Sequence, residues 1–213
     1  MGIKEKASKG MEEIKKEAQV LKGEESKDKV YSSVRVFDDE DSAKFEFSRS
    51  KERLFNVNAW SNIPGIANST FELFGEDGNP IERYQVEKGD FIKIDLPGPL
   101  PYYWVKVNEV SAENDSAQFT VQPTYDPTHD DDKTVTDHFF QDQARSIFRV
   151  ERSGNEIKAM EIGVNEAINN QDAEAGSKGL INTIVSEGGW AGFQKYQWKN
   201  LTDYLVGLRI PTS

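Results

Sequence analysis

Apolar side chains recur at every second position through much of the stretch from about residue 30 to residue 165, and no other feature limits the fold of this chain as strongly. A period of two puts successive side chains on opposite faces of an extended strand, so such a segment can bury one face and wet the other. Phe45 and Phe47 alternate in AKFEF, Phe55 and Val57 in RLFNVN, Phe71 and Leu73 in TFELF, and Ile92, Ile94 and Leu96 in KGDFIKIDL. Adding YSSVRVF, IERYQV, YYWVKVNEV, AQFTVQP, RSIFRVER and EIKAMEIG gives about nine or ten candidate strands. Turn chemistry separates them: Asp77-Gly78 inside GEDGNP (75–80), and Ser153-Gly154-Asn155 between RSIFRVER and EIKAMEIG. Two proline-bearing stretches, SNIPGIANS (61–69) and LPGPLP (96–101), read as corners, because proline cannot donate to a ladder. The expectation is a mainly β (α+β) fold, an antiparallel sandwich or barrel of about nine strands.

The two ends carry a helical period instead. Trp198, Leu201, Leu205 and Leu208 form a stripe beside Tyr204, with Gly207 and Pro211 as stop signals. An aromatic face on a terminal helix is expected to close the open side of a sheet. At the other end, residues 1–29 hold 8 Lys and 7 acidic residues and no aromatic one. Ile3, Ala7, Met11, Ile14, Ala18 and Leu21 make a thin apolar stripe through that charge, and Glu5–Lys9 and Glu12–Lys16 are favourable i,i+4 pairs. The chain therefore divides into a charged helical arm with its linker (1–29) and a single β-rich domain ending in a helix (30–213).

Composition removes several classes of function. The formal net charge of −11 argues against nucleic acid, whose phosphates call for clustered Lys and Arg. No apolar run approaches the length of a membrane span, and the Lys/Glu-rich N-terminus has no h-region. A cytoplasmic location, or export without a cleavable signal, is expected. The absence of cysteine removes disulfides, thiolate metal sites and cysteine nucleophiles. There is no Gly-x-Ser-x-Gly elbow, and the glycine-rich pieces GEDGNP and SEGGWAG lack the Lys-Ser/Thr of a phosphate loop.

Three groups of residues carry potential chemistry. The segment PTYDPTHDDDKTVTDHFFQD (123–142) holds both histidines and six aspartates. His129, Asp130, Asp132 and His138 are suitable ligands for a divalent metal, the one cofactor this cluster would take; the alternative is an acidic surface loop. Tyr102 and Trp104 lie beside LPGPLP, on the strand face opposite Tyr103, Val105 and Val107. They are either a stacking platform for a sugar or peptide, or rings covered by a loop or the terminal helix. Ile3, Met11, Ile14 and Leu21 form the partner-binding candidate on the arm. The acidic run Asp38-Asp39-Glu40-Asp41 reads as a solvated turn.

The pieces KGDFIKIDLPGP, YYWVKV, DHFF, RSIFRVER and QWKNL together resemble an uncharacterised group of bacterial proteins, chiefly from Bacteroidetes, over roughly residues 43–208. That resemblance implies no activity, cofactor or site residue. The leading expectation is a non-catalytic binding or assembly protein, its β domain tethered through the arm to a protein partner or a second copy. The alternatives are a metal-dependent hydrolase using residues 126–142, a signal-less effector or structural part of an export or injection machine, and a barrel binding a small ligand or glycan.

Overall fold

The computed structural model describes residues 27–65, 69–96, 102–128, 144–166 and 189–211. The arm residues Ile3, Met11, Ile14 and Leu21, and the metal candidates His129, Asp130, Asp132 and His138, lie outside the described residues. Among the described residues the alternation yields seven strands: β1 (Lys27–Val36), β2 (Thr70–Phe74), β3 (Phe91–Asp95), β4 (Tyr103–Ala112), β5 (Ser116–Thr124), β6 (Arg145–Ser153) and β7 (Glu156–Glu166). They form one antiparallel sheet in the order β1-β7-β6-β5-β4-β3-β2. The outermost strands β1 and β2 do not pair with each other, so the sheet is neither a sandwich nor a closed barrel.

Three expected strands are something else. AKFEF and the start of RLFNVN belong to a helix, α1 (Glu40–Phe55), which runs into a 3-10 helix over Val57–Asn62. The acidic run expected as a turn is the entry to α1. Asp39 has extended backbone, and its carboxylate accepts from the Ser42 amide at 2.7 Å, while Glu40 and Asp41 fill the first turn. That amide donation holds the Asp39 carboxyl below its ordinary range. Helical spacing then buries Ala43, Phe47 and Leu54, and Phe45, paired with Phe47 under a period of two, is 68% exposed. IERYQV also forms no strand: Tyr84 points to solvent, and the segment is held at its two ends, by the Ile81 amide to the Leu73 carbonyl and the Val86 amide to the Phe55 carbonyl.

The strand alternation sorts the sheet into two faces. Val105 and Val107, Phe119 and Val121, Phe148 and Val150, and Ile157 and Ala159 are buried on the inner face. Helix α1, the 3-10 helix and the C-terminal helix α2 (Gly189–Leu205) supply the other half of the core, and Leu201 and Leu205 are fully buried. Trp60 of the 3-10 helix anchors the centre, its ring centroid 5.6 Å from Phe71, 5.9 Å from Phe119 and 5.0 Å from Phe148. The β6–β7 hairpin turns at Gly154-Asn155, with a left-handed φ of 59° at the glycine.

Helix α2 ends as its Gly207 signal predicts, and Leu208, expected in the stripe, lies past the helix end and is exposed. The Gly207 amide bonds to the Tyr204 carbonyl and the Leu208 amide to the Asp203 carbonyl, the paired closure of a Schellman motif. Gly207 has φ of 76°, and a Cβ there would lie 2.8 Å from both Arg35 Nη1 and Glu46 Oε1. Gly207→Ala is expected to lower unfolding free energy by about 2 kcal/mol, from the left-handed backbone and the crowding together. Urea denaturation followed by far-ultraviolet circular dichroism checks this, and a midpoint equal to that of the parent protein would refute it.

Candidate ligand cavity

Helix α2 lies across the inner face of the sheet, and its two halves do different work. Leu201 and Leu205, in its C-terminal half, are buried without exposure. Its N-terminal half roofs a cavity lined by Phe193, Gln194, Gln197 and Trp198 above and by inner-face residues of β3 to β6 below, among them Ile94, Val105, Val121 and Phe148. The cavity is predominantly apolar, and the space between its walls, open solvent at the mouth included, is about 560 Å3. Arg145 and Ser146 of β6 stand in its wall. Ser146 pairs with Gly163, which has no side chain to project from the neighbouring strand.

Amide side chains hold this roof in place. Gln194, Gln197 and Asn200 recur at three-residue spacing along α2, and all three are buried. Each reaches a different part of the domain. Gln194 Oε1 accepts from Lys29 Nζ of β1 at 2.7 Å, and Gln197 Oε1 accepts from Ser69 Oγ at 3.0 Å. Asn200 Nδ2 donates to the Gly65 carbonyl. Further along β1, Ser33 bonds Thr202 and donates to Asp203 Oδ1 at 2.7 Å, and Lys199 Nζ bonds both Ser33 and Asp203. The helix is thus positioned by directed hydrogen bonds, and the apolar gap beneath it need not be filled for it to stay put. Trp198 is 6% exposed and packs edge-on against Phe148 at 5.6 Å, and among the described residues its indole Nε1–H has no hydrogen-bond partner.

The aromatic candidates lie on the other side of the sheet. Trp104 is 4% exposed and meets Phe74 edge to face at 4.8 Å. Tyr102 is 46% exposed, and the Lys93 ammonium stands 4.6 Å from its ring centroid. Their strand neighbours Tyr103 and Val105 face the cavity. The residues the sequence reading passed over are Gln194 and Gln197. Their signal was present: two glutamines on the face of α2 that carries Trp198, Leu201 and Leu205, where an ordinary core helix would place apolar side chains.

Among the described residues, no group of three or more His, Cys, Asp or Glu side chains could hold a metal ion, and no helix is long and apolar enough to cross a membrane. No protein-family model and no curated protein matches the chain. Solved structures align with much of the chain at low identity and low structural similarity. A hypothetical protein from Helicobacter pylori is 8% identical, with 87% of this chain and 92% of that one covered and a TM-score of 0.48. A norcoclaurine synthase mutant from Thalictrum flavum is 14% identical, covering 85% and 96%, at 0.40. The protein XoxI from Bacillus cereus is also 14% identical, covering 85% and 96%, at 0.41. Identities and scores this low leave the function of this chain to its own residues.

The roof has a simple test. Ser69→Ala removes the donor to Gln197 Oε1 in a site where both residues are buried. The substitution is expected to lower unfolding free energy by about 1–3 kcal/mol, the range for a buried acceptor left without its partner. Equilibrium urea denaturation measures it, and an unchanged midpoint would show that the amide is not held in this way.

Proposed function

We propose that this protein binds a small, mostly apolar ligand in the cavity between the sheet and the N-terminal half of α2. The observation that supports the reading is an apolar cavity whose roof is tied to the rest of the domain by the buried hydrogen bonds of Gln194 and Gln197 and meets the floor where Trp198 packs on Phe148. Sites for small molecules have this composition: a concave apolar lining with few, placed polar groups. The proposal keeps the non-catalytic binding class expected from the sequence and moves the ligand from the outer face, where Tyr102 and Trp104 lie, to the inner one. The tether over residues 1–29 is a separate proposal resting on the sequence stripe of Ile3, Met11, Ile14 and Leu21; deletion of those residues should release a protein partner without altering ligand binding.

The cavity is tested with the full chain and the neutral fluorescent probe N-phenyl-1-naphthylamine. Saturable binding of one probe per chain is expected. Ser146→Trp, which puts a large ring at the half-buried cavity wall, should weaken binding by about tenfold or more, equivalent to roughly 1.4 kcal/mol. The denaturation midpoint of the variant is measured alongside, to show that the loss is not unfolding. Non-saturable binding, or equal binding by a folded Ser146→Trp variant, would overturn the proposal.

A further inference from the structure

Of the polar groups that line the cavity, Trp198 and Arg145 bring donors alone, whereas the hydroxyls of Ser146 and Tyr103 can donate or accept. Trp198 has only a donor, the Nε1–H, and it is buried with no acceptor among the described residues. Buried donors of this kind are uncommon in native proteins and call for an explanation, of which an absent bound group is one. The orientation of the Gln194 amide is fixed by chemistry: Lys29 can only donate, so the oxygen faces Lys29 and the N–H2 group is turned the other way. Gln197 Oε1 accepts from the Ser69 hydroxyl, and in that orientation its N–H2 group lies on the other side. Arg145, also in the wall, carries donors alone. Two side chains on one turn of α2 thus turn their acceptor oxygens toward Lys29 and Ser69, and the third, Trp198, has no acceptor at all. Glu161, on β7 opposite Tyr31 and Phe148, does not line the cavity.

We infer that the ligand bears a hydrogen-bond acceptor, a carbonyl or carboxylate oxygen, seated against Trp198 Nε1–H and the Gln197 amide, with its apolar body along Ile94, Val105 and Val121. This rests on the cavity being the binding site and adds the chemical class of what enters it. A molecule whose only polar end is a donor leaves the Trp198 Nε1–H unsatisfied. Such a mismatch in a water-poor site discriminates strongly, because the buried groups on both sides lose their partners.

The test uses the full chain with bound N-phenyl-1-naphthylamine and three competitors of equal chain length: octanoate, methyl octanoate and octylammonium. Octanoate and the ester should displace the probe at concentrations about tenfold or more below those octylammonium requires. Equal potency of the first two assigns recognition to the carbonyl oxygen, and an advantage for octanoate adds the charge of Arg145; either supports the inference. In Trp198→Phe, the first two should weaken while octylammonium does not. In the parent protein, the indole 15N–1H resonance lost in Trp198→Phe should shift on addition of octanoate and not of octylammonium, a readout that holds even where the variant folds poorly. Probe binding with equal displacement by all three competitors, or an indole resonance unmoved by octanoate, overturns the inference and leaves the cavity standing. Failure of the probe to bind removes both.

Discussion

The C-terminal end of α2 is held by a small group of charges, and the rest of the architecture depends on it. Glu46 of α1 accepts from Arg53 at 2.6 Å with both side chains nearly buried. Arg53 also donates to the Leu205 carbonyl, and Arg35 of β1 donates to the Gly207 carbonyl at 2.9 Å. Two guanidinium groups thus meet the negative end of the α2 dipole, where carbonyls have no partner within the helix. An ion pair this buried stabilises only when its remaining donors and acceptors are met, and the terminal carbonyls of α2 meet part of that requirement. The arrangement ties β1 and α1, neighbours in sequence, to α2 at the far end of the chain.

With one end of α2 fixed, the other can stand off the sheet. Its C-terminal half packs by shape, through Leu201 and Leu205, while its N-terminal half adds the amide bonds of Gln194 and Gln197 to the single ring contact of Trp198 with Phe148. Hydrogen bonds specify distance and direction, whereas apolar contact only rewards closeness, so a helix hung on amides can keep a gap that an all-apolar helix would close. The cavity follows from that change in bonding along one helix. It is bordered by the strands whose inner faces elsewhere build the aromatic core around Trp60.

The outer face of the sheet shows the same economy with different means. Phe91 and Trp104 are buried there, with Phe74 against Trp104, Tyr125 against Phe91 and the Lys106 ammonium 4.8 Å from the Phe91 ring. The 75–80 turn closes over this group: Gly78 has φ of 72°, and a Cβ there would stand 2.4 Å from the Pro127 carbonyl oxygen. An alternating strand therefore buries aromatic rings on both faces at the β2–β3–β4 edge, where one face packs against helices and the other against loops. Alternation alone separates Tyr103 from Trp104 but cannot say which of the two faces borders a cavity.

Strand segments such as TFELF, FIKID and the β6–β7 hairpin were legible because their cause is local: alternation fixes the faces, and Gly154 supplies the turn. The helix end at Gly207 was legible for the same reason. Helix α1 was misread where two periods compete, since Phe45 and Phe47 fit a strand while Asp39 and the acidic first turn fit a helix start; tertiary burial of Phe47 and exposure of Phe45 decided it. The single open sheet, the position of β1 beside β7, and the cavity depend on contacts between residues more than a hundred positions apart, such as Lys29 with Gln194 and Ser69 with Gln197. Local sequence sets which face of an element is apolar, because backbone geometry alone fixes that periodicity. Which element covers that face, and where the cover stands clear of it, is set by long-range hydrogen bonds and charges that no local pattern encodes.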